Sequence, residues 1–87
     1  DASFNDLVIN IFPNPATDLI AIQVGGLVAD NLQVNLLDLS GKLIQKAKIN
    51  AGSTIAYFDV ESVYEGTYLV QIVNGTNTTA QKVVVKR

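Results

Sequence analysis

The chain has 87 residues, 48% hydrophobic and 16% charged, with six Lys/Arg against eight Asp/Glu and a formal net charge of −2. That leaves room for one small domain, and the charge has the wrong sign for a domain that tracks nucleic-acid phosphates. With neither Cys nor His, the chain excludes disulfides, thiol catalysis, zinc fingers and Ser-His-Asp triads.

Asp1 to Asp6 reads as linker or tail, and residues 7–87 as a single domain. Asp1-Ala2-Ser3-Phe4 lacks the basic start and apolar run of an N-terminal targeting signal, as expected of an excised or processed segment. From Leu7 onward, apolar residues recur at every second position in most segments, and Val, Ile, Thr, Tyr and Phe are plentiful. This favours half-buried strands over helices, so the expected class is all-β, with about seven antiparallel strands in an Ig-like Greek-key sandwich.

The first strand spans about Leu7 to Phe12 and stops at Pro13-Asn14-Pro15, where two N–H donors are missing. Leu19 to Val24 comes next, with Ile20, Ile22 and Val24 on the core face and Leu19, Ala21 and Gln23 on the other. Gly25-Gly26 ends it, and Leu27 to Asn31 forms a loop with room for one helical turn. In the third strand Leu32, Val34 and Leu36 face the core. The chain then turns at Asp38-Leu39-Ser40-Gly41-Lys42, where Asp38 can bond backbone donors and Gly41 can supply a positive φ. Leu43 to Ile49 sets Lys46 and Lys48 on one face, as an edge strand protected by charge would. It closes at Asn50-Ala51-Gly52-Ser53.

Thr54 to Val60 forms the fifth strand. The next segment, Val63-Tyr64-Glu65-Gly66-Thr67-Tyr68, has the spacing of a tyrosine corner, in which a Tyr hydroxyl bonds upstream backbone and ties down the arch between two sheets. Tyr68, Val70 and Ile72 face one side and Leu69, Gln71 and Val73 the other, so the sixth strand is central. Asn74-Gly75 opens a connection longer than two residues, through Asn77. Thr79 to Lys86 is the last strand, with Val83 and Val85 inward and Lys82, Val84 and Lys86 outward.

No apolar run approaches the roughly 20 residues of a membrane-spanning helix. Asp59 and Glu61 point the same way on an extended chain but have no positioned partner, and read as solvated strand-end carboxylates. Asp38-Leu39-Ser40-Gly41 and Asp30-Asn31 hold only fragments of a calcium loop. Gly25-Gly26 is too short to cradle phosphate. Asn74-Gly75-Thr76 and Asn77-Thr78-Thr79 match the N-glycosylation pattern, as an Asn/Thr-rich hairpin does by chance. Tyr57, Phe58 and Tyr64 are candidates for a sugar platform, but strand alternation favours core or corner packing. No cofactor is expected, and with no nucleophile–base pair the chain is expected not to be an enzyme. Lys82, Lys86 and Arg87 make a basic end, either a solvated edge or a docking strand read through backbone and charge.

Three segments in order decide between those readings: Ile11-Phe12-Pro13-Asn14-Pro15-Ala16-Thr17-Asp18, then Leu36-Leu37-Asp38-Leu39-Ser40-Gly41-Lys42, then Val63 to Ile72 followed by Lys82 to Arg87. From about Val8 onward the chain resembles the type A C-terminal sorting domain of the type IX (Por) secretion system of Bacteroidota. Val63 stands where that family more often has Leu. The resemblance implies an address label on an exported cargo protein, recognised in the periplasm by the outer-membrane translocon and its shuttle protein. A sortase-like cysteine peptidase would then remove it at or before the Asp1 to Asp6 linker, leaving the cargo at the cell surface or secreted. It implies a translocon signal at Lys82, Val83, Val84, Val85, Lys86 and Arg87. It implies structural roles for Pro13, Asn14, Pro15, Asp38, Gly41, Lys42, Gly66 and Tyr68. A homodimer through edge strands is a further expectation. The competing readings are a small β-sandwich module binding carbohydrate or a cell-surface protein, and an Ig-like spacer.

Overall fold

A computed structural model of the chain describes residues 8–25, 31–75 and 77–86. The expected tail and most of the Leu27 to Asn31 loop lie outside the described residues. Seven strands appear among those described: β1 (Val8–Phe12), β2 (Leu19–Gly25), β3 (Leu32–Asp38), β4 (Leu43–Ile49), β5 (Ile55–Asp59), β6 (Gly66–Asn74) and β7 (Asn77–Val85). They form a three-stranded sheet, β1-β2-β5, and a four-stranded sheet, β4-β3-β6-β7, with every strand pair antiparallel. The arrangement is an all-β sandwich of Ig-like kind. Its fourth strand stays beside the third instead of crossing to the sheet that holds the first, second and fifth, as it does in constant-type Ig domains.

Period-2 alternation explains the core. Ile20, Ile22 and Val24 of β2 and Phe58 of β5 are buried against Leu32, Val34 and Leu36 of β3 and Tyr68, Val70 and Ile72 of β6. Side chains of both inner faces thus interdigitate in one apolar layer, and among the described residues no polar or charged side chain is buried. Ala21 is also buried, although it sits on the outer parity of β2. Its cross-strand neighbours are Phe12 on β1 and Tyr57 on β5, the large residues paired with it across both flanking strands.

Local chemistry sets the turns. Asp38 Oδ1 accepts bonds from the Ser40 hydroxyl at 2.6 Å and from the Ser40 and Lys42 amides at 2.9 Å each, and Gly41 takes φ 92°. The Ser40 hydroxyl first, then the Lys42 amide, holds the Asp38 carboxyl below its ordinary value of 3.8. A carboxyl whose folded value is depressed stabilises the fold above its unfolded value and loses that contribution as pH falls through the folded one. Asp38→Asn is therefore expected to melt below wild type at neutral pH, with the gap closing as pH drops below about 4. Thermal melts between neutral and strongly acidic pH check this, and a gap independent of pH contradicts it.

The β6–β7 connection differs from the sequence expectation. Asn74 pairs directly with Asn77, which leaves two residues in the loop, with Gly75 at φ 63°. The strands therefore begin inside the polar Asn/Thr tract. Strand-capable threonine, not hydrophobicity, extends β7 back to Asn77.

Candidate functional site

Four segments far apart in sequence meet at one end of the sandwich, around the end of β7. The tyrosine corner is formed as expected: the Tyr68 hydroxyl donates to the Tyr64 carbonyl at 2.6 Å, and Gly66 has φ 155°, a conformation that side-chain-bearing residues rarely adopt. Tyr68 pairs with Asp38 on one side and with Val83 on the other. A single cross-sheet row therefore joins the Asp38 turn, the corner and the last strand.

The Pro-Asn-Pro turn supplies the fourth segment. Both of its X-Pro bonds, Phe12-Pro13 and Asn14-Pro15, are cis. Asn14 Oδ1 accepts the Val84 amide at 3.0 Å, the Ala16 amide donates to the Val84 carbonyl at 2.7 Å, and the Lys86 amide donates to the Ala16 carbonyl at 2.8 Å. Ala16 is fully buried and makes a parallel bridge with Val85. Three bonds at about 1 kcal/mol each clasp the end of β7 from its outer side. The family resemblance implies a structural role for Asn14 but no partner, and no role for Ala16. A contact across 70 positions leaves no local signal beyond the turn residues themselves.

The residues expected to carry a signal divide by parity. Val83 and Val85 are fully buried, in the core. Lys82 and Lys86 are exposed and Val84 is half-buried, on the outer face. Arg87 lies outside the described residues. Asn14 lies in the clasp, flanked by Pro13 and Pro15, while Asp38, Gly41 and Lys42 lie in the β3–β4 hairpin and Gly66 and Tyr68 at the corner.

The outer face of the four-stranded sheet has a consistent charge. Lys46 and Lys48 lie opposite Asn35 and Gln33 on one margin, and Lys82 lies opposite Leu69 on the other. Between them Gln33 Nε2 donates to Asn35 Oδ1, and Asn35 Nδ2 to Gln71 Oε1, both at 2.9 Å. With Lys86, this face carries four of the chain's six Lys/Arg, on a domain whose net charge is negative.

The other candidates do not assemble. Phe58 is buried, Tyr57 is 53% exposed on β5 and Tyr64 is 89% exposed in the β5–β6 connection. Packing thus claims Phe58 alone, and the Tyr64 ring lies outside the core although its carbonyl serves the corner. Asp59 Oδ1 accepts the Glu61 amide at 3.0 Å, a local turn bond. No group of three or more metal-ligating side chains occurs among the described residues, and no described helix is long and apolar enough to cross a membrane.

A family model described as "Secretion system C-terminal sorting domain" matches residues 10–86. No curated protein matches the chain.

Proposed function

The chain belongs to the secretion system C-terminal sorting domain family, and from that membership we infer that its folded last strand is the address by which an attached cargo is exported. The family is the C-terminal secretion signal of the type IX system, found in Bacteroidota. This domain therefore acts with that machinery and with its cargo, toward the outer membrane, the cell surface or the medium.

The finer reading rests chiefly on one observation, the division of β7 by parity. Lys82 and Lys86 stand outward with Val84 between them, while Val83 and Val85 hold the strand in the core. A translocon or shuttle protein meeting the folded domain in the periplasm reads the outward lysines. The valines act by keeping those lysines in place. The domain is a label, not a catalyst, and a sortase-like cysteine peptidase removes it at or before the linker around Asp1 to Asp6. Isolated copies pair through their edge strands into a homodimer.

The test is a periplasm-targeted fluorescent protein fused ahead of residues 1–87 in a type IX-competent host. The fusion is expected on shaved cell surfaces or in the medium, with the unfused reporter retained. Equal retention of both, in cells that export their own cargo, would sink the reading.

A further inference from the structure

The clasp fixes which way the backbone of β7 points. Val84 gives its amide to Asn14 and its carbonyl to Ala16, so both of its groups face away from β6. In an antiparallel ladder that direction alternates with period two. The amides and carbonyls of Thr78, Ala80 and Lys82 therefore also face outward. The hairpin gives the same parity independently: a two-residue loop is closed by a hydrogen-bonded pair, here Asn74 and Asn77, which turns the groups of the odd-numbered residues of β7 toward β6. No bond to the outward groups of Thr78, Ala80 or Lys82 occurs among the described residues.

The other sheet edges are protected. β1 and β5 have five residues each, and β1 runs into Pro13. β4 carries Lys46 and Lys48, faces a register shift at Leu36/Leu37, and is stitched to β5 by Gln45 Nε2 donating to the Asp59 carbonyl. β7 has nine residues in unbroken register, and among the described residues its outer edge is bonded only at Val84 to Lys86. Natural sheets rarely leave such an edge long, flat and uncovered.

Resting on the sorting function inferred above, the geometry points to the Thr78–Lys82 edge of β7 as a β-addition site for an extended strand of a partner protein that carries acidic side chains. Ala16 already adds a strand-like segment to the same edge, so the edge accepts backbone pairing as built. The occupant is an extended chain because the edge offers alternating donors and acceptors to a strand. It is acidic because Lys82 and Lys86 stand exposed beside that edge. The docking stretch thus begins upstream of Lys82, outside the Lys82 to Arg87 segment that the family resemblance marks as the signal.

The experiment is export of the reporter fusion carrying Ala80→Pro. The Ala80 amide serves no bond to β6, so proline at this edge position removes one outward donor and leaves the internal ladder whole. The expected result is a cooperatively folded domain whose export falls on the order of tenfold, as the loss of one docking bond and its geometry would give. Ala80→Glu keeps every backbone group and sets a carboxylate where the acidic strand would lie. It is expected to lower export likewise, and it tests the same edge if proline melts the strand. Wild-type export by a folded Ala80→Pro or Ala80→Glu domain overturns this site and leaves the sorting function standing. Retention of the wild-type fusion overturns the sorting function itself, and the site with it. A dimer of the isolated domain that Ala80→Pro dissolves, with export unchanged, assigns the edge to a second copy and overturns the partner strand.

Discussion

Phe58→Ala is expected to remove about 3–5 kcal/mol of folding stability, the usual cost of deleting a fully buried aromatic ring and leaving a cavity. Phe58 is 1% exposed, sits on β5 opposite Ile20 and is the largest fully buried side chain among the described residues. A domain of this size holds roughly 4–13 kcal/mol in total, so the variant is left marginal. Denaturant titration of the isolated domain would read the change as a lower midpoint at an unchanged slope. A loss below about 1.5 kcal/mol would mean that the two sheets are not packed through this ring. Because the end of β7 is held by segments from both sheets, export of a cargo bearing Phe58→Ala is expected to fall with its folded fraction.

The second large effect separates the two sides of β7. Val83→Ala with Val85→Ala deletes four buried methyl groups in all, at about 0.8 kcal/mol each. With the cavity contribution the pair costs roughly 4 kcal/mol and loosens the strand from Tyr68 and Gly66, its partners in β6. Lys82→Ala with Lys86→Ala removes exposed side chains and is expected to shift stability by less than about 0.5 kcal/mol, which corresponds to a melting shift within about 4 °C. Thermal and denaturant melts of the two double variants check the contrast, and equal stability of the two would contradict the placement of the valines. Removing Lys82 to Arg87 altogether would mix the two effects, since it takes out both the core valines and the outward lysines.

Much of this arrangement is legible in the sequence because alternation is a local property. The triplets at Ile20, Ile22, Val24 and at Leu32, Val34, Leu36 read directly as core faces, and the lysines at 46 and 48 mark an edge. The tyrosine corner and the Asp38 turn are legible for the same reason: each is closed by bonds spanning only a few residues. The Val83–Val85 run is resolved correctly as in-out-in because Lys82 and Lys86 flank it at matching parity. Three features are not legible. The length of the β6–β7 loop is hidden because Asn and Thr serve both turns and strands. Burial of Ala21 is set by its cross-strand surroundings, where its register partners Phe12 and Tyr57 come from two other strands. The clasp of Asn14 and Ala16 on Val84 and Lys86 depends on the whole fold, since it joins the first strand's exit to the last strand's end.

That clasp gives the Pro-Asn-Pro and Asp-Leu-Ser-Gly-Lys motifs a common physical purpose. One bonds the outer edge of β7, the other begins the cross-sheet row that runs through Tyr68 to Val83. Together they fix the height and direction at which Lys82 and Lys86 leave the surface. A strand held in this way is preorganised, which lowers the entropy that docking to it would cost.

The most direct measurement is export of the reporter fusion carrying Lys82→Ala and Lys86→Ala, made alongside a thermal melt of the same double variant. A folded domain with wild-type stability whose cargo stays in the periplasm is the result this arrangement predicts. A folded double variant whose cargo reaches the surface as wild type does would contradict it, and would place the address elsewhere on the sandwich.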